Sequence, residues 1–131
     1  MLNMSPSGAL SPYYYKGGYF HGIHYGSYFD DYESLFKMID KEEAFILKSP
    51  DKRRIMMDFY ETNLSDNVIE KIVTHITNID SKIIKLAVAT DKKGLSLIKK
   101  ALRKSNSFRP ACCYFCTDME EGKTWLVSDE F

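Results

Sequence analysis

ACCYFCTDMEEGKTWLV, residues 111 to 127, holds all three cysteines of the chain within five residues, two of them spaced Cys-x-x-Cys. Whether this is a metal or redox motif, or the closing strand and helix of a domain, decides how everything upstream is read. In an extended strand neighbouring side chains point to opposite faces, and only residues two or four apart share one. Cys113 and Cys116 therefore point apart. Cys112 and Cys116 face the same way but lie roughly 13 Å apart, beyond the reach of a disulfide or of two thiolates on one zinc ion. The histidines, His21, His24 and His75, stand at no zinc-finger spacing. A redox Cys-x-x-Cys starts at a helix N-terminus, whereas here the helix start Asp118-Met119-Glu120-Glu121 follows both cysteines. The segment reads as a strand of small apolar side chains and a short helix burying Trp125 and Leu126.

Working back from it, Asp91-Lys92-Lys93-Gly94 opens a helix with Leu95, Ile98, Ala101 and Leu102 inward, ending near Ser105. KIIKLAVAT, residues 82 to 90, is nearly continuous in apolar side chains, the pattern of a strand covered on both faces. Ser65 caps the preceding helix, in which Ile69, Ile72, Val73, Ile76 and Ile79 recur at helical spacing. RRIMMDFY, residues 53 to 60, is a further buried strand. Before it, Asp30-Asp31-Tyr32-Glu33 predicts a capping box on Asp30, followed by the stripe Tyr32, Leu35, Phe36, Ile39 and Ile46 and a stop at Ser49-Pro50. YYYKGGYFHGIHYGSY, residues 13 to 28, gives a hairpin over 13–16 and 19–26, turning at Lys16-Gly17-Gly18. Residues 1–12 read as a disordered lead-in to a single domain, 13–131. The fold class expected is α/β: a mixed, mainly parallel sheet of about five strands with an N-terminal β-hairpin and about four helices.

A chain of 131 residues suits one domain and needs no disulfide or metal to fold. Its 18 basic and 18 acidic side chains cancel, which argues against non-specific nucleic-acid binding. An odd, clustered set of cysteines points to a reducing cytoplasm. No signal-like start and no run of eighteen apolar residues occurs, so neither secretion nor a membrane span is expected. No catalytic motif is present, and neither enzyme activity nor a cofactor is expected. Asp58, near the end of a parallel strand, sits where open sheets often bind ligands and equally where it can hold the following loop.

The order of elements, with RIMMDFYE, KIIKLAVAT and YFCTDMEEGKTWLV as its most telling phrases, resembles the STAS-like family of small bacterial domains, which includes anti-sigma-factor antagonists. The likeness spans Tyr13 to Ser128 and lies mostly in packing residues. It implies a non-enzymatic regulatory role through protein partners, in a branch without a defined activity. In the antagonists a serine at the start of the second long helix is a phosphorylation switch, within Asp-Ser-Ser-Gly. This chain has Thr62-Asn63-Leu64-Ser65-Asp66-Asn67 there. Ser65 is the counterpart by position, and a plain N-cap serine is the competing reading.

Two surface patches are candidates for binding. From Lys92 to Arg109 the chain carries seven cations and no acid: Lys92, Lys93, Lys99, Lys100, Arg103, Lys104 and Arg109. They fall opposite Leu95, Ile98 and Leu102 and form either an anion- or partner-docking face or a solvated one. Nine of eighteen aromatic residues lie between Tyr13 and Tyr32, more than one hairpin face can bury. Tyr13, Tyr15, Tyr19 and Tyr25 are therefore the expected self-association surface of a homodimer. The functional expectation is a protein-interaction module, with a carrier of a lipid-like or anionic small ligand as the alternative.

Overall fold

The computed structural model describes residues 3–7, 10–11, 13–105 and 112–128. Asn3–Met4 (β1) and Leu10–Ser11 (β2) pair antiparallel. Tyr13–Tyr15 (β3) and Gly18–His24 (β4) form the hairpin, with Tyr15 opposite Gly18. Only Lys16 and Gly17 remain in the turn, at φ 45° and 84°, as a tight two-residue connection twisting with its strands requires. There follow Tyr32–Lys48 (α1), Arg53–Asp58 (β5), Asp66–Ile79 (α2), Ile83–Ala89 (β6), Lys92–Arg103 (α3), Cys113–Cys116 (β7) and Met119–Val127 (α4).

The five-stranded sheet runs in the order β3-β4-β5-β6-β7, antiparallel at the hairpin and parallel from β4 onward. Each parallel pair needs a crossover, and successive crossovers of one hand, stepping one strand at a time, put α1, α2 and α3 on the same face. Strand alternation follows. Ile23, Ile55, Met57, Leu86 and Val88 face those helices, joining Leu35, Ile39, Ile72, Ile98 and Leu102 in the main core. Phe20, Met56, Ala87, Ala89 and Cys116 face the other way and are covered by α4 through Leu126. Burial on both faces is the reason KIIKLAVAT reads as a continuous apolar run. Lys85 interrupts it, buried with no exposed surface on the α4 side.

Three caps are where the sequence places them: Ser65 Oγ accepts from Val68 N, Asp91 from Gly94 N and Asp118 from Glu120 N. At α1 the cap is Asp31, accepting from Ser34 N at 3.2 Å, and not Asp30. Asp30 is drawn away by the neighbouring loop, where its carboxylate accepts from Asn63 Nδ2 at 2.8 Å. Trp125 is half-buried, stacked on Tyr114 at 5.3 Å, while Leu126 is fully buried. The lead-in, left outside the domain in the sequence reading, is engaged in part: Ser5 is buried against α1.

Candidate functional site

α3 is strongly two-faced because its apolar residues recur at three and four. Leu95, Ile98 and Leu102 are buried, and Lys92, Lys93, Lys100, Arg103 and Lys104 are exposed on the opposite side. Lys99 is half-buried, with its ammonium 5.3 Å from the ring centre of Phe115 on the edge strand β7. Between them lies an open depression lined by Lys92, Leu95, Ser96, Lys99, Lys100 and Arg103. No carboxylate is among the lining residues. Among the described residues none of Lys92, Lys93, Lys99, Lys100, Arg103 and Lys104, six of the seven predicted cations, forms an ion pair. Lys92 and Lys93 occupy the first turn, where the positive end of the helix dipole disfavours cations by about 0.3–1 kcal/mol each and the adjoining Asp91 carboxylate is engaged in capping Gly94 N. The structure thus gathers Lys92, Lys99, Lys100 and Arg103 around one depression, with Lys93 and Lys104 exposed beside it. Arg109 lies outside the described residues.

The tyrosine surface is redistributed. Tyr25 is fully buried; its hydroxyl donates to His75 Nε2 at 2.8 Å, and His75 Nδ1 donates to Glu43 Oε1 at 3.0 Å. Burial raises the Tyr25 hydroxyl well above its ordinary range, and burial lowers His75 against the opposing pull of Glu43. Tyr25 therefore ties β4 to α1 and α2 and belongs to no surface. Tyr15 is half-buried, donating to Glu120 on α4. Tyr19 is 54% exposed and meets Tyr14, 67% exposed, edge to face at 5.9 Å. Tyr14, paired directly opposite Tyr19 across the hairpin, was not among the residues expected at this surface. The Tyr13 side chain lies outside the described residues.

Ser65 is committed to capping α2 and is half-buried. His24 and His21 point to opposite faces, as strand spacing predicts. His24 Nδ1 donates to the buried Asp58 carboxylate at 2.8 Å, leaving the ring 60% exposed. Asp58 is raised by its burial, partly offset by His24. Asp58 thus holds the end of the neighbouring strand β4 through His24, a partner the sequence reading did not name.

The cysteines divide between the faces as strand geometry requires. Cys113 packs on the main core and Cys116 under α4. Burial pushes the Cys116 thiol up to about 11. A thiol of that kind carries about 100-fold less thiolate than an ordinary one near neutral pH. Maleimide labelling at pH 8 with peptide mass mapping is therefore expected to modify Cys116 at least ~100-fold more slowly in the native protein than in urea. Equal rates would mean that α4 opens freely. Among the described residues no three His, Cys, Asp or Glu side chains are grouped to hold a metal ion, and no helix is long and apolar enough to cross a membrane.

No family model, no curated protein and no solved structure matches the chain.

Proposed function

We propose that this chain is a non-enzymatic interaction module of STAS-like type, working in the cytoplasm and docking an anionic partner on the basic face of α3. The observation that carries this reading is the depression lined by Lys92, Ser96, Lys99, Lys100 and Arg103 without a carboxylate. Cations crowded at successive turns repel one another, and an approaching anion relieves that repulsion while gaining attraction from each. The depression is open along the helix, which suits the surface of a macromolecular partner; a small anionic ligand is the alternative occupant. The element order from the hairpin to α4 supports the family type.

The reading is tested by titrating the protein with an acidic peptide and, separately, with inorganic polyphosphate, at 50 mM and 300 mM salt. Binding is expected to weaken at least about tenfold at the higher salt, since exposed charges are screened within a shorter Debye length. The triple variant K99E/K100E/R103E is expected to abolish it while leaving the thermal midpoint within a few degrees. Salt-independent binding, or binding that the triple variant keeps, would remove α3 from the function.

A further inference from the structure

Ser5 and Ser7 are fastened to the body of the domain at one atom. The Ser5 hydroxyl donates to Glu42 Oε2 at 2.8 Å, and the Ser7 backbone N–H donates to the same oxygen at 2.9 Å. Glu42 lies on α1 with no exposed surface, and Ser5 is 5% exposed. The other carboxylate oxygen, Oε1, is 3.1 Å from His21 Nε2, and His21 Nδ1 is 2.9 Å from Arg53 Nη1. A guanidinium only donates, so Nδ1 must accept and Nε2–H must point at Oε1. The relay from Arg53 on β5 through His21 on β4 therefore orients Glu42 from inside the domain. Phe45 steadies the relay, its ring centre 5.6 Å from that of His21 and 5.2 Å from the Arg53 guanidinium.

A buried carboxylate is tolerated only when its lone pairs meet donors. The body of the domain satisfies Oε1, and the N-terminal segment satisfies Oε2. Burial pushes the Glu42 carboxyl up, but the bonds from His21, Ser7 and Ser5 outweigh it and hold the group below the usual glutamate range, so it is ionised at neutral pH. Pro6 lies between the two donors. Exposed and in a turn, it has a fixed φ that helps bring the Ser5 hydroxyl and the Ser7 N–H onto one acceptor.

We propose that Glu42, His21 and Arg53 form a peptide-docking site whose resident occupant is the chain's own Ser5-Pro6-Ser7 segment. Its ligand class is a short turn segment presenting a serine hydroxyl and, two residues on, a backbone N–H. The site lies at the β4 and α1 side of the molecule and is separate from the basic face of α3. Occupation in cis is favoured by tethering, which supplies an effective concentration on the order of millimolar.

The test uses the full chain and a fluorescent peptide of sequence NMSPSGALS, residues 3 to 11. S5D sets a second carboxylate against Glu42 and expels the arm. By fluorescence anisotropy S5D is expected to bind the peptide saturably, and at least tenfold more tightly than the wild type, whose site is filled. Adding E42Q to S5D is expected to weaken binding at least tenfold, because an amide turned to the arm offers donors where an acceptor is needed. Failure of S5D to bind, or equal binding with and without E42Q, overturns the proposal. Hydrogen exchange provides an arm-intact check: amide protection of residues 3–7 should fall at least tenfold in E42Q alone, and unchanged protection also overturns it.

Discussion

Lys85→Ala is expected to lower the unfolding free energy by about 3–5 kcal/mol, from the lost side-chain volume and the loss of the ammonium that serves Ser128 O and shares Trp125 O with the backbone and hydroxyl of Ser128. For a domain of this size that is a fall of roughly 12–20 °C in Tm. Lys85 is fully buried between β6 and α4. Its ammonium donates to Trp125 O at 2.8 Å, Ser128 O at 2.9 Å and Ser128 Oγ at 3.3 Å, and it lies 4.5 Å from the Trp125 ring centre. The last carbonyls of any helix lack partners in their own helix, and the dipole makes that end negative. Lys85 meets both needs from the sheet, so it fixes where α4 ends and how it lies on Met56 and Ala87. Lys85→Met keeps most of the volume and removes the donors, and is expected to cost about 2 kcal/mol. Urea unfolding followed by circular dichroism separates the two contributions. If both variants stay within about 1 kcal/mol of the wild type, packing by Leu126 alone holds α4.

The alternation that revealed the strands also hid this residue. KIIKLAVAT scores as a buried strand because six of its nine side chains are apolar, and a lysine inside it looks like an exposed edge position. Which partner receives it depends on α4 returning over the sheet forty residues later, a tertiary fact without a local signal. The same holds for Glu42. It falls on the buried side of α1, between Ile39 and Ile46, and only the position of the N-terminal segment and of His21 explains a carboxylate there. By contrast, β5, α2, β6, α3 and the face assignments of Cys113 and Cys116 rest on period and capping, which are local. The basic face of α3 was legible for that reason, since helix spacing alone places Lys92, Lys100 and Arg103 opposite Leu95 and Ile98. The cap at Asp31 was misplaced by one residue because Asp30 and Asp31 are locally equivalent, and a bond from Asn63 in another loop separates them.

Gly26→Ala is expected to cost about 3 kcal/mol, towards the upper end of overpacking effects, and to lower Tm by roughly 12 °C. A Cβ at this position would stand 2.6 Å from Tyr60 O, 2.6 Å from Asp58 Oδ2 and 2.9 Å from His24 Cε1. None of these atoms is free to yield. Tyr60 O accepts from Ser27 N at 2.7 Å, and Asp58 is held by His24. The segments after β4 and β5 continue the parallel ladder beyond the strands, through Tyr25 N to Asp58 O, Phe29 N to Glu61 O and Asn63 N to Phe29 O. That continuation holds three non-glycine residues, Ser27, Phe29 and Glu61, at φ 64°, 53° and 58°. Such left-handed residues each cost about 1 kcal/mol or more and persist only while neighbouring bonds over-determine them. A methyl group that pushes Tyr60 O away breaks the bond anchoring Ser27, and the stored strain then favours further opening. The expected signature is loss of hydrogen-exchange protection at Ser27 and Phe29 together, with the sheet interior changed far less. Gly17 supplies the control: at φ 84° nothing lies within 4 Å of an added Cβ, so Gly17→Asn meets only the backbone preference and is expected to cost under about 1 kcal/mol. Equal losses at the two glycines would mean that backbone conformation, and not the crowding of two strand ends, sets the requirement at Gly26.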